Sequence, residues 1–221
     1  MPAEQKLPVP GRPADRDGTT EIEVFADITC PFTHVGLHRL LAHRNALGRT
    51  TPVLRIRAWP LEVINHEPML GSTIAPKIAA LRRAVATELF AGFDSANFPV
   101  SSRPALASVA AAYRTSPACG ERFSVAVRDA LFEHGRDISD SAVLAHLRAE
   151  HGVDDPTPAD ASSIDTDYRD GTRRGVVGSP HFFTPDGDFF CPSLDIHHVD
   201  GRLVVALDSD GFEQFIAAAL G

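Results

Sequence analysis

A cysteine followed directly by proline, in Cys30-Pro31-Phe32-Thr33, is the segment of this sequence best suited to chemistry. The residues before it, Glu21 to Asp27, alternate like a half-buried strand. Proline is favoured in the first turn of a helix, where its missing N–H would have had no partner. Cys30 therefore stands at a strand-to-helix junction. A thiol there faces unpaired backbone N–H groups and the positive end of the helix dipole, which stabilise a thiolate and sharpen it as a nucleophile. Thr33, one turn on, is expected to donate its hydroxyl to that thiolate, and a cationic His34 to favour it further. The alternative is that Cys30 is a small buried residue, as free cysteines often are.

A second segment, Gly175-Val176-Val177-Gly178-Ser179-Pro180, comes some 150 residues later and leads into another strand-like run. Its Ser-Pro bond is either a cis bond in a tight turn or an ordinary trans bond at the first residue of an edge strand. Cys119, in Ser116-Pro117-Ala118-Cys119-Gly120, reads as a structural residue of a loop between helices. His34 and His38 have helical i, i+4 spacing but no acidic or cysteine ligand beside them in sequence, so they read as a half-exposed face and no metal is expected. His197-His198 with Cys191 and Asp195 is a metal reading of the same weak kind. There is no Gly-x-Gly-x-x-Gly after a strand, no P-loop, no His-Glu-x-x-His and no Gly-x-Ser-x-Gly.

These segments need elements to position them. The helix opened by Pro31 is expected over about residues 31–47, with Gly48 as its left-handed stop, and Val53 to Trp59 is a second strand. Helical patterns then fill about residues 74–175. One starts at Pro76 and carries Ile78, Leu81, Val85 and Leu89; one starts at Pro104; a third presents Phe123, Ala126, Val127, Ala130 and Leu131 and ends at Gly135. Two more follow Asp140 and cover 158–174. Pro180–Thr184 and Asp188–Cys191 then form a hairpin around Pro185-Asp186-Gly187, and Leu194–Leu207 a second around Asp200-Gly201. A last helix is capped by Asp210 with Glu213 three residues on. The order is βαβ, a helical block, then ββα. This divides the chain into a flexible arm (1–20), a βαβ half (21–73), a helical insertion (74–175) and a ββα half (176–221).

The 221 residues carry 21 basic and 29 acidic side chains, a formal charge of −8, which argues against a nucleic-acid partner because phosphate binding relies on clustered Lys and Arg. Every apolar stretch is broken well short of the ~20 residues that span a bilayer. The first 20 residues lack the pattern of a secretory signal, and with only three cysteines the expected compartment is a reducing cytoplasm.

The whole pattern resembles the thioredoxin fold of the DsbA family: βαβ with cysteine at the helix start, a long all-helical insertion, then Gly-Ser-Pro before ββα. Ala26-Asp27-Ile28-Thr29-Cys30-Pro31-Phe32-Thr33-His34-Val35-Gly36 is similar to the start of FrnE-like DsbA proteins, as is Leu131-Phe132-Glu133-His134-Gly135-Arg136-Asp137-Ile138-Ser139-Asp140. Val177-Gly178-Ser179-Pro180-His181-Phe182-Phe183 looks like that family's cis-proline motif. The resemblance implies a thiol-disulfide oxidoreductase, α/β in class, with Cys30 as attacking thiol, Pro180 as the cis-proline opposite it and Ser179 pairing with the backbone of a substrate or thiol partner. Pro31, Phe32 and Thr33 complete the motif, and Phe32 with His34 is expected to shape the approach.

The family's second cysteine is replaced by Thr33, so the motif alone cannot resolve a mixed disulfide. Three routes follow. In one, Cys30 works as a monothiol with a low-molecular-weight thiol, glutathione or mycothiol, as cosubstrate and no tightly bound cofactor. Phe189-Phe190-Cys191-Pro192-Ser193-Leu194 resembles the Phe-Phe-x-Pro-x-Leu pattern of related mycothiol-dependent reductases. In a second, Cys191 resolves Cys30; its alternative is a packed core cysteine. In the third, the chain is a kappa-class glutathione-transferase-like or 2-hydroxychromene-2-carboxylate-isomerase-like enzyme, or a binding protein without redox activity. The expected partner is a small thiol or a disulfide-containing substrate, with no nucleic acid or membrane, and the helical block could mediate a homodimer.

Overall fold

The computed structural model describes residues 21–221; the arm expected over 1–20 lies outside them. Strand β1, Glu21–Ala26, is central in a four-stranded sheet. It pairs in parallel with β2, Val53–Ala58, and antiparallel with β3, His181–Thr184, which pairs in turn with β4, Gly187–Phe190. A central strand must bury both faces, and β1 does so with different residues. Ile22, Val24 and Ala26 face helices α1, Pro31–Ala46, and α8, Ser209–Leu220, through Leu37, Leu40, Phe215 and Leu220. Phe25 packs on the other face with Trp59 and Val176.

Between β2 and β3 run α2 (Leu61–Ile64), α3 (Gly71–Ala84), a 3₁₀ turn (Ser95–Asn97), α4 (Arg103–Thr115), α5 (Pro117–Phe132), α6 (Ser141–His151) and α7 (Pro158–Arg174). Their shared core of Ile74, Leu81, Phe90, Leu106, Phe123, Val127 and Phe132 reaches Val35 of α1 and Leu194 and Val205 of a separate hairpin. That hairpin pairs β5, Leu194–Val199, with β6, Arg202–Leu207. The helical layer thus covers the outer side of α1, so His34 and Val35 are buried there.

Three helices differ from the sequence reading at their ends. Helix α3 begins at Gly71 and contains Pro76, and it ends at Ala84. A Cβ at residue 71 would sit 2.1 Å from the Ser95 carbonyl oxygen, so only glycine lets the first turn pass there and carry Ile74 into the core. Cys119 lies in the first turn of α5, buried, because Ser116 caps that helix by accepting the Cys119 N–H. Helix α5 stops at Phe132; Gly135, at φ +60°, follows where a side chain would meet the Gly92 carbonyl. The cap of α8 is Asp208 rather than Asp210, its carboxylate closing on the Gly211 N–H at 2.8 Å.

Candidate active site

Cys30 is the N-cap residue of α1, in extended conformation, with Pro31 beginning the helix. Its carbonyl accepts the His34 N–H at 3.2 Å, closing the first turn. The thiol is 3% exposed and donates to the Ser179 carbonyl oxygen at 3.1 Å. The Ser179–Pro180 peptide is cis. Pro180 lies against α1, where a Cβ on Gly36 would touch Pro180 Cγ and Ser193 Oγ, each at 3.7 Å.

The thiol's surroundings are polar, buried and hydrogen-bonded, as a polar group taken out of water requires. Ser179 Oγ accepts the Asp27 N–H at 2.9 Å and shares a proton with Thr33 Oγ1 at 2.8 Å. Thr33 therefore ties α1 to the proline loop, instead of donating to the sulfur as its position one turn past Cys30 suggests. Ser179 competes for it across the fold. The Asp27 carboxylate, fully buried, accepts from Thr29 N, Thr29 Oγ1, Leu61 N and Ser102 Oγ. Its backbone carbonyl accepts from Arg128 Nη2 at 3.3 Å.

Arg128 and Asp27 were not legible as site residues. Arg128 is 1% exposed and held by the Ser124 carbonyl and hydroxyl, while its Nε has no partner among the described residues. Burial pushes its guanidinium down to about 10; the charges of Asp27, Tyr113 and Cys30 oppose that fall. It remains a cation at neutral pH, close enough to Cys30 to respond to its charge. The signal in the sequence is its position: with Ser124 and Leu131 it borders the apolar stripe of α5, where a charge must face the interior.

His34 departs from both of its expected roles. Its ring is fully buried between Phe90 and Phe132, so the half-exposed face is wrong for this residue, although His38 is 32% exposed. Burial lowers its pKa, with the Glu133 hydrogen bond opposing, and a neutral ring beneath the helical layer neither supplies a cation nor meets an approaching substrate. Its Nε2 is 2.7 Å from Glu133 Oε1. Burial works to raise the Glu133 carboxyl, but the hydrogen bonds from His34 and from Phe90 and Ala91 N–H outweigh it and hold the group down at about 2. Phe32 is partly buried against the helical core.

Cys191 stands opposite Pro180 at the end of the β3–β4 ladder, its N–H donating to the Pro180 carbonyl at 3.0 Å. It is 5% exposed, has φ +46°, and burial pushes its thiol up to about 12, a charge on Cys30 adding to the rise. It lines a cleft of about 490 Å³ with Phe190, Leu194, Asp195, Ile196, Leu207 and Asp208. A second cavity, of about 470 Å³, lies between β2, α4 and α7, and its arginines Arg55, Arg57 and Arg114 are all ion-paired. Cys30 lines neither. The rim beside Pro180 is apolar and open: Val177 is 71% exposed and Phe190 53%. His181 fixes this rim, accepting the Val177 N–H on Nδ1 at 3.2 Å and reaching Asp188 through Nε2. His197 meets Asp195 on exposed β5, away from any such centre.

A cysteine at a helix start, facing the residue before a cis-proline on a β1-centred mixed sheet, is the arrangement of a thioredoxin-like fold. The chain belongs to the DSBA-like thioredoxin domain family, whose model matches residues 21–204. No curated protein matches it in sequence. Among solved structures it is similar to the cytosolic disulfide reductase DsbM from Pseudomonas aeruginosa (20% identity, 90% of this chain and 98% of that chain, TM-score 0.58). It is also similar to that protein solved with GSH (19% identity, 90% and 98%, TM-score 0.56). A 2-hydroxychromene-2-carboxylate isomerase is similar as well (17% identity, 77% and 88%, TM-score 0.59). At these identities the likeness concerns the fold. None of the described helices is long and apolar enough to cross a membrane.

Proposed function

We propose that the chain is a thiol-disulfide oxidoreductase that works through Cys30 alone, with a low-molecular-weight thiol such as glutathione or mycothiol completing the cycle. One observation carries the reading: Cys30 Sγ at the start of α1, 3.1 Å from the Ser179 carbonyl ahead of Pro180. Having lost its proton to water, the Cys30 sulfur attacks one sulfur of a disulfide. A bond forms between the two, the substrate S–S bond breaks, and the other half leaves as a thiolate. A second thiolate, from the small thiol, then attacks the mixed disulfide at the substrate sulfur, and Cys30 departs as thiolate. One substrate half is then free and the other is joined to the small thiol; a second small-thiol thiolate cleaves that mixed disulfide, freeing the second half and leaving an oxidised small-thiol disulfide, so two small thiols supply the two electrons that the substrate disulfide gains.

An external thiol is preferred to Cys191 on physical grounds. The nucleophile in such exchange is the thiolate, and burial holds the Cys191 thiol well above its ordinary value, which makes it the poorer attacking group near neutral pH. The bound partner in this reading extends along the Ser179–Pro180 edge, with Val177 and Phe190 supplying apolar contact. The DsbM likeness, including its complex with GSH, supports a glutathione-class partner and a cytoplasmic, reducing compartment. The test is intact-mass spectrometry of the chain and of Cys30→Ser after incubation with oxidised glutathione or oxidised mycothiol. One adduct that maps to Cys30 and is removed by the matching free thiol is the expected result. No adduct on Cys30 with either disulfide overturns it and makes isomerase chemistry the next reading to assay.

A further inference from the structure

Helices α1 and α5 bring together four side chains that thiol exchange does not use. His34 and His38, four residues apart on α1, face Asp129 of α5 and Glu133 at its C-terminal end. His38 Nε2 is 2.8 Å from Asp129 Oδ1, the two imidazole centroids are 4.5 Å apart, and one ring nitrogen of each histidine lies within 4.8 Å of the other and of an Asp129 oxygen. The third, acidic ligand that the sequence around the two histidines lacks is supplied by a helix some 90 residues later. We propose that His34, His38 and Asp129 form a binding site for a divalent transition metal, Zn²⁺ in the first instance, one helical turn beyond Cys30.

The ligand chemistry fits. Imidazole and carboxylate donors suit zinc, and three protein ligands leave its fourth position to water. Glu133 holds the His34 ring through Nε2 and is itself fixed by the Phe90 and Ala91 N–H groups, the arrangement in which a carboxylate orients a ligating histidine. With Nε2–H given to Glu133, the neutral ring keeps one lone pair on Nδ1, which is buried and has no hydrogen-bond partner among the described residues. A network built only for ion pairing has no use for that atom. Tetrahedral zinc needs donor atoms about 3.3–3.5 Å apart. His34 is clamped by its aromatic neighbours, whereas His38 and Asp129 are 32% and 31% exposed and have room to turn inward.

The test uses the untagged full-length chain, stripped with a chelator and titrated with Zn²⁺ against a chromophoric competitor, and with Co²⁺ as a spectroscopic probe. The expected result is one equivalent per chain, with Co²⁺ d–d bands but no thiolate charge-transfer band. Binding should weaken at least about tenfold in His38→Gln and in Asp129→Asn. It should be unchanged in His197→Gln, which alters an exposed pair elsewhere. Both ligand variants are at part-exposed positions, and circular dichroism confirms that they are folded. Affinity equal to the parent in both variants, a thiolate band, or no stoichiometric uptake overturns the site and leaves a hydrogen-bonded His–carboxylate network only.

Discussion

Cys30 donates its thiol hydrogen to the carbonyl of Ser179, 149 residues away in the chain. The same serine's hydroxyl accepts from Asp27 at the end of β1 and bonds Thr33 in the first turn of α1. One residue thus fixes the strand before the cysteine, the helix after it and the loop opposite. Buried groups such as these lose about 1–3 kcal/mol when one partner is removed. The sulfur's position is therefore set by a closed set of bonds, which leaves the chemistry of the missing second cysteine as the open variable.

Restoring that cysteine is the first prediction. Thr33→Cys places a thiol one helical turn past Cys30, where Thr33 is now fully buried and points at the proline loop. The variant should form an internal disulfide with Cys30, so that the mixed disulfide with glutathione no longer accumulates. Intact mass after oxidation reads the outcome directly: loss of two hydrogens and no glutathione mass. A persistent adduct would show that the helix start cannot bring the two sulfurs together.

The second concerns Arg128. A cation in the interior acts over several ångströms because the surroundings screen it poorly. Replacing it by Met keeps the bulk and removes the charge, and the rate of Cys30 modification by iodoacetamide at pH 7 should fall severalfold. Arg128→Lys, which retains the charge, should recover most of the rate. Equal loss in both variants, with lowered denaturation midpoints, would mean that Arg128 serves packing and its bonds to Ser124 and Asp27 instead.

What the sequence made legible was local. Pro31 after Cys30 and Gly48 after α1 each mark a boundary within a few residues of the atoms they bond. The ordered motifs likewise located Cys30 and Pro180. What stayed hidden depends on partners distant in the chain. Thr33 and Ser179 bond each other across 146 residues, and no helix rule ranks that bond above one to the nearby sulfur. His34 reads as half-exposed because its cover, α5 and the Phe90 turn, comes from the insertion. Pro76 misplaced the start of α3 because the gap beneath Ser95 that Gly71 fills is a tertiary fact.

The last prediction separates the two thiols by pH. In the folded chain the Cys191 thiol is held at about 12 by burial and then by Cys30, whereas in the unfolded chain it has its ordinary value near 9.0. The folded state therefore favours the neutral thiol, and this contribution is complete below pH 9. Between pH 9 and about 12 the unfolded chain ionises while the folded one does not, so stability falls by at most about 1.4 kcal/mol per pH unit from this group. Cys191→Ala removes the titration and adds only a pH-independent packing loss. Urea denaturation at pH 8, 9.5 and 10.5 should therefore show the parent's advantage over the variant shrinking as pH rises. Over the same range Cys191 should resist iodoacetamide while the protein stays folded. An advantage constant with pH, or alkylation of Cys191 near neutrality, would place an accessible thiolate opposite Pro180. That result would return Cys191 to the role of resolving Cys30.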